Sequence, residues 1–246
     1  MNEILRRRRA LMGAKSGPAH GTWEDLFRAI AAGTYATEYE IGEVLPLDLG
    51  AEGEVGAQIA AFDADMLADN SGYAPVTFVS LHVLNTEHRI NPTLSPSEPP
   101  YTEGTGGIGG WGASEIRSYC ANTILPLIPA EISNRIVTVK KYSYIRLADG
   151  SSYDNNDLTE DKIWLPSERE LGEGFETAGP QYTSLFPNAN SRVKTKSGNT
   201  TGAGWWLRTA STLIERWRVV VSTNGTTTGY RTNYAGYSLA IGFCIA

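Results

Sequence analysis

The sequence predicts an α+β fold, and three observations carry that expectation. Apolar periodicity begins helical and changes to a period of two, with no alternation of strand and helix that would build a parallel sheet. The 246 residues include 26 Gly and 12 Pro, which divide the chain into short elements joined by many turns. Hydrophobic residues make up 41% and aromatics 10%, with six Trp, enough to bury one large core or two small ones. This composition excludes a disordered chain, and no apolar run approaches the length of a membrane crossing.

The elements follow in order. Ile4, Leu5, Leu11 and Met12 flank the basic run Arg6, Arg7, Arg8 and Arg9 and predict a short helix closed by Gly13. Such a helix is marginal alone, so residues 1–20 read as an attachment or oligomerisation segment with a linker, ahead of a domain over 21–246. A second helix starts at Thr22 with Asp25 set for a capping contact, buries Trp23, Leu26, Phe27 and Ile30, and ends at Gly33. Leu45, Leu47 and Leu49, then Val55, Ala57, Ile59 and Ala61, alternate as strands, and 76–83 is a third strand candidate. Residues 91–112 form a Pro/Gly/Ser-rich loop of the length that often serves function. Ser114 caps a helix carrying Ile116, Tyr119, Cys120 and Ile124 and stopped by Pro126. A strand over 137–145 precedes a polar loop over 148–161. Ser167 and Glu170 make a helix-start signature, Trp205 to Arg208 read as a buried strand, and the chain closes on Gly242-Phe243-Cys244-Ile245.

Charge is segregated. The net of −6 argues against a nucleic-acid or membrane-surface partner. No Lys or Arg lies between Arg28 and Arg89, whereas from Thr177 onward Glu215 is the only acid against seven basic residues. Two segments facing each other across complementary fields, or a basic face for an anionic ligand, both fit this pattern. Cys120 and Cys244 lie far apart with no CxxC or Cys/His cluster, so zinc is not expected; a bridge and two buried thiols both remain open.

Catalytic chemistry is sparse. None of His20, His82 and His88 stands in a hydrolase or metalloprotease motif, and His82 reads as a structural histidine in an apolar strand. The Gly-rich 104–110 lacks the Lys-Ser/Thr of a phosphate loop. The acidic 149–161 segment does not match calcium-loop spacing and reads as a hairpin tip. No catalytic residue, metal or cofactor is expected.

The tail is different. Thr212, Arg216, Arg218, Thr226, Thr228, Tyr230, Arg231, Asn233, Tyr234 and Tyr237 are the residue types of adaptable binding surfaces: Tyr gives rigid amphipathic area, Thr and Asn adjustable hydrogen bonds, Arg bidentate and stacking contacts. An ordinary polar strand and loop has the same composition.

An ordered set of short motifs narrows the reading. These are Phe62-Asp63-Ala64-Asp65, Thr77-Phe78, Arg89-Ile90-Asn91-Pro92, Gly109-Gly110-Trp111, Ser114-Glu115-Ile116-Arg117, Asp161-Lys162-Ile163-Trp164-Leu165-Pro166-Ser167-Glu168, Gly204-Trp205-Trp206-Leu207-Arg208 and the Gly-Phe-Cys-Ile end. From about Val44 onward the chain resembles uncharacterised domains of gut bacteria and their phages, related to C-type-lectin-like folds of the formylglycine-generating-enzyme type. The resemblance implies short antiparallel strands, two or more helices and long irregular loops. Phage relatives resemble the variable proteins of diversity-generating retroelements, which implies a variable window at 209–237 in which Leu213, Ile214 and Val220 are unusual among polar neighbours. The calcium-dependent sugar motifs of lectins and the cysteine pair of the oxidases have no counterpart here, so the resemblance implies a display role rather than their chemistry.

The expectation is a phage tail-tip or tail-fibre receptor-binding protein, in the virion or on a bacterial cell surface. Its ligand face would comprise Thr212, Ile214, Arg216, Arg218, Val220, Thr226, Thr228, Tyr230, Arg231, Asn233, Tyr234 and Tyr237 around a core of Trp205, Trp206, Leu207, Phe243 and Ile245. The partners would be a bacterial surface receptor, protein or glycan, other tail proteins through the N-terminal segment, and further copies of the chain, with a trimer favoured. A structural tail or cell-surface protein and an enzyme acting on glycans or cell wall are the alternatives.

Overall fold

In the computed structural model the described residues are 21–91, 110–146, 153–211, 217–232 and 234–246. The N-terminal helix read at 2–12, most of the 91–112 loop, and Thr212, Ile214, Arg216 and Asn233 lie outside them.

The chain enters through helix α1 (Trp23–Ala32). Thr22 caps it, its Oγ accepting from Asp25 N at 3.2 Å, and Gly33 ends it in the left-handed region at φ 70°. Trp23 and Leu26 face inward, and Trp23 lies against Phe78 and Phe243, themselves stacked at 5.2 Å. Its indole N–H donates to Pro46 O at 2.7 Å, so the ring is buried without an orphaned donor. A short helix α2 (Tyr35–Glu38) follows.

The larger sheet runs β1 (Val44–Leu45), β2 (Ala57–Phe62), β3 (Val76–Ser80), β14 (Gly242–Ile245) and β4 (Ile136–Val137), and β7 (Ile163–Trp164) also pairs with β14. All these pairings are antiparallel. The last strand of the chain thus sits at the centre, and Phe243, Cys244 and Ile245 are fully buried. The strand pattern at 45–49 shortens to two residues, although Leu45, Leu47 and Leu49 all reach the core. A bulge between Ile59 and Ala61 breaks the alternation of β2, so that Ala60 and Ala61 both pack on the second apolar cluster while Ile59 and Phe62 face the first.

The second sheet is ordered β12 (Thr227–Arg231), β11 (Trp217–Val221), β10 (Trp205–Ala210), β13 (Ser238–Leu239), with β10 and β13 parallel. This sheet separates two cores. Trp206, Val220 and Leu239 join the larger apolar cluster; Trp205, Leu207, Val219, Val221 and Ala240 join a second, with Tyr182 and Phe186. A strand buried on both faces reads as an unbroken apolar run, which is how Trp-Trp-Leu and Val-Val-Val appear in the sequence.

Between β3 and β4 in sequence come helix α3 (Glu115–Tyr119), which continues through a π turn at Cys120–Ile124 and a 3-10 turn at Leu125–Leu127, and helix α4 (Ala130–Ser133). The hairpin β5 (Val139–Arg146) and β6 (Tyr153–Asp161) follows; β8 (Lys194–Thr195) pairs with β9 (Gly202–Ala203). The class is α+β.

Three expectations change. Residues 153–161 are strand β6 rather than loop: cross-strand pairing with β5 overrides a polar sequence. At Ser167 the capping contacts form, Glu170 N donating to Ser167 Oγ at 3.3 Å and Ser167 N to Glu170 Oε2 at 3.0 Å, but only turns follow. Gly172 and Gly174, both at φ 80°, leave the helical region, and the Glu170 carboxylate is engaged elsewhere. The 76–83 strand ends at Ser80, and His82 Nδ1 instead meets Thr195 Oγ at 3.0 Å, the structural contact expected of it. Both cysteines are buried free thiols. Of the complementary charge segments, Lys196 and Glu87 make one ion pair at 3.2 Å.

Lys194 is a buried amine held by backbone oxygen, donating to Ser80 O at 2.5 Å with Phe186 and Trp205 about it. Burial pushes its pKa down from 10.5 to about 7. Between those values the unfolded chain binds the extra proton, so stability rises with pH across that window and is lower below it. The expected gain from this group between pH 7 and 9 is about 2 kcal/mol. Urea denaturation at both pH values checks it, because Lys194→Met should lack that increment.

Candidate functional site

The C-terminal sheet carries a patch of four aromatic rings. Tyr230 on β12 lies 4.6 Å from Tyr234 and 5.1 Å from Tyr237, the latter two are 5.4 Å apart, and Trp217 at the start of β11 stacks on Tyr230 at 6.4 Å and 27°. Below them Tyr237 meets the fully buried Trp206 edge-on at 5.1 Å. The tilted and edge-to-face arrangement is the favourable one for aromatic quadrupoles. Tyr234 is 44% exposed, and Trp217, Tyr230 and Tyr237 are half-buried. Arg231, exposed, is the cross-strand partner of Trp217.

Glycines make room for these rings. A Cβ at Gly204 would stand 2.5 Å from the Tyr237 ring, one at Gly236 2.3 Å from the Tyr234 ring, and one at Gly229 2.8 Å from the Trp217 ring. Gly204→Ala is expected to cost about 1–3 kcal/mol in thermal melts, since Tyr237 is wedged against Trp206. Gly236→Ala meets the outer end of the Tyr234 ring, the most exposed of the four, and should lower the melt less than Gly204→Ala does.

The patch is anchored from behind. Tyr237 O accepts from His88 N at 2.8 Å, His88 O accepts from Trp206 Nε1 at 2.7 Å, and the His88 ring lies 4.5 Å from Tyr119. Burial lowers the His88 pKa, opposed by Glu52. Thr232 O holds Ile90 N and Asn91 N at 2.9 and 3.3 Å. The segment after β12 is therefore tied to residues 88–91 rather than hanging free.

The expected ligand face is brought together only in part. Tyr230, Arg231, Tyr234 and Tyr237 converge. Thr228 is exposed on β12, and Thr226 sits in the turn at its far end, both its N and its Oγ donating to Asn224 Oδ1. Two members do not face out. Val220 is fully buried in the larger core, because β11 is an inner strand covered on both faces. Arg218, on the same strand, is 1% exposed and donates from Nη1 to Arg208 O at 2.9 Å. Burial lowers its pKa to about 10, with Asp157 opposing. Trp217, absent from the expected set, completes the patch; its position opposite Arg231 needs the strand register, which no short motif discloses.

A second constellation is wholly buried. Arg208 on β10 donates to Glu170 from both terminal nitrogens, at 2.7 and 2.9 Å, and to Leu165 O and Tyr142 O. Lys141 on β5 donates to Asp65 Oδ1 at 2.5 Å, Glu170 Oε1 at 3.0 Å and Tyr182 OH at 3.0 Å, with the Trp164 ring 3.5 Å from its nitrogen. Burial alone would raise the Glu170 carboxyl; Arg208 and Lys141 outweigh it and hold it down to about 2. Among the described residues no His/Cys/Asp/Glu group is placed to hold a metal ion. A groove of about 540 Å³ between α1 and α4 is lined by Trp23, Glu24, Phe27, Glu131, Asn134 and Arg135, none of them from the tail.

Fold and patch together define an α+β domain whose inner C-terminal strands hold an aromatic surface in place. The chain belongs to a family described as a domain of unknown function (DUF6273), matched over residues 88–245. That span opens at His88, the residue that backs Tyr237, and takes in the whole patch. No curated protein and no solved structure matches the chain.

Proposed function

We propose that the chain is a receptor-binding protein with a C-type-lectin-like fold, carried on a phage tail tip or tail fibre or on a bacterial surface, whose tail segment recognises a molecule on a bacterial cell. The observation that supports this best is the clustered patch of Trp217, Tyr230, Tyr234 and Tyr237 beside exposed Arg231, held against the buried strands β10 and β11. Aromatic rings and Arg next to polar side chains make the anchors of recognition surfaces. A rigid support below changeable exposed positions is what a variable binding face requires. The face is narrower than the window 209–237: exposed Thr226, Thr228, Arg231 and Tyr234 are free to vary, whereas Arg218 and Val220 belong to the interior.

In this reading the protein has no catalytic role, residues 1–20 attach it to other tail proteins, and a homo-oligomer, a trimer for preference, multiplies a weak single site through effective concentration. The test is binding of the purified protein to whole cells from a panel of gut bacteria. Retention on a narrow subset is the expected result; uniform retention, or none on any strain, contradicts the proposal.

A further inference from the structure

We propose that Lys141 and Asp65 condense to an intramolecular isopeptide bond, with Glu170 and Tyr182 moving the protons. The two side chains are presented to each other by backbone pairing: Leu67 bridges Val139, Lys140 N donates to Met66 O at 2.8 Å, and Ala68 N donates to Thr138 O at 3.0 Å. Asp65 leads into this short ladder on one side and Lys141 leads out of it on the other. Lys141 Nζ lies 2.5 Å from Asp65 Oδ1, and both side chains are fully buried. Thr77 Oγ donates to Asp65 Oδ2 at 2.6 Å and Tyr182 OH at 2.8 Å, so the carboxyl group is fixed at both oxygens.

Three features favour condensation over a lasting ion pair. Two opposite charges in a dry site carry a desolvation penalty that the neutral amide removes. The Glu170–Arg208 pair is complete without Lys141, so condensation leaves the remaining charges balanced. The Trp164 ring 3.5 Å over Nζ keeps water from the new bond, and two groups held in contact react at a high effective concentration.

The balance is simple. One proton passes from the Lys141 ammonium through Tyr182 OH, 3.0 Å away, to Asp65 Oδ2, leaving an amine and a carboxylic acid whose Oδ1 becomes the carbonyl oxygen of the amide. Nζ attacks Asp65 Cγ and the C–N bond forms. A second Nζ proton goes to Glu170 Oε1, 3.0 Å away, and through Tyr182 OH, 3.3 Å from that oxygen, to Oδ2. The Cγ–Oδ2 bond breaks and water leaves; the third proton remains on the amide nitrogen. Neither oxidant nor cofactor is consumed. The product ties the loop between β2 and β3 to β5, closing a covalent ring across 76 positions of sequence. A crosslink of this kind suits a protein exposed outside a cell to shear and proteases, although its chemistry does not depend on that role.

Intact mass spectrometry of the denatured full chain tests this directly. The expected mass is that of the sequence less one water, with a branched proteolytic fragment joining the Asp65 and Lys141 peptides. Lys141→Met and Asp65→Ala should each show the full mass of their own sequences. A wild-type mass without the deficit overturns the proposal, and so does a deficit that persists in Lys141→Met. The wild-type measurement decides the matter even where a variant does not fold.

Discussion

Replacing Arg208 with alanine is expected to lower stability by about 3–5 kcal/mol, because it leaves the Glu170 carboxylate buried beside a lost partner. The guanidinium joins three parts of the molecule at once: the Leu165 carbonyl before the Ser167 turn, the Tyr142 carbonyl on β5, and Glu170. In a domain of this size the loss corresponds to a fall in Tm of roughly 6–20 °C. Arg208→Lys should recover little of it, since one ammonium cannot reproduce a fork that spans two carboxylate oxygens and two carbonyls. The sign with pH follows from Glu170, whose pKa is held down in the folded state. Its contribution is present above the ordinary carboxylate range near 4.5 and is lost as pH falls towards about 2. Wild type and Arg208→Ala should therefore approach one another in stability in strong acid. A fall in stability below about 1 kcal/mol at neutral pH would show that the network is not the brace described here.

Tyr234→Ala is expected to weaken receptor binding about 5- to 30-fold, the effect of losing one aromatic anchor worth about 1–2 kcal/mol, while leaving the melt within a degree or two. Tyr234 is the ring to change because it is the most exposed of the four. Tyr230 and Tyr237 pack against the larger core, so truncating either also removes folding energy and confuses the readout. Arg231→Ala should add a comparable loss without touching the core, since its side chain stands exposed beside Trp217. Arg218→Ala behaves in the opposite way. It removes a buried guanidinium bonded to Arg208 O and is expected to act on stability first. Titrating each variant against receptor-bearing cells, with a melt beside it, separates the two kinds of residue.

Much of this was legible in the sequence because it depends on neighbours in the chain. Thr22, Asp25 and Gly33 bound the first helix through contacts three residues apart, and Trp205-Trp206-Leu207 shows a strand with no polar face. Long-range pairing decided the rest. Residues 153–161 look like a loop by composition and become a strand only because β5 offers a partner. Ser167 and Glu170 carry a local helix signal, but Arg208 and Lys141, distant in sequence, take the same carboxylate for a buried network. The proposed ligand face was read from the sequence with the same gap. Residue type singled out Tyr230, Tyr234 and Tyr237, which the structure brings together, yet it could not tell that Val220 and Arg218 are covered on β11 while Trp217, at the start of the same strand, is only half-buried. Burial depends on which strands flank β11, and that is a property of the sheet order.

A role for the aromatic patch in recognition is decided by cell binding of wild type and of the Tyr234→Ala/Arg231→Ala double variant, each accompanied by a thermal melt. Wild type is expected to bind a narrow set of strains, and the double variant to melt at nearly the same temperature with binding to those strains reduced by an order of magnitude or more. Equal binding by the two proteins would contradict it, and would remove the aromatic patch from any part in recognition.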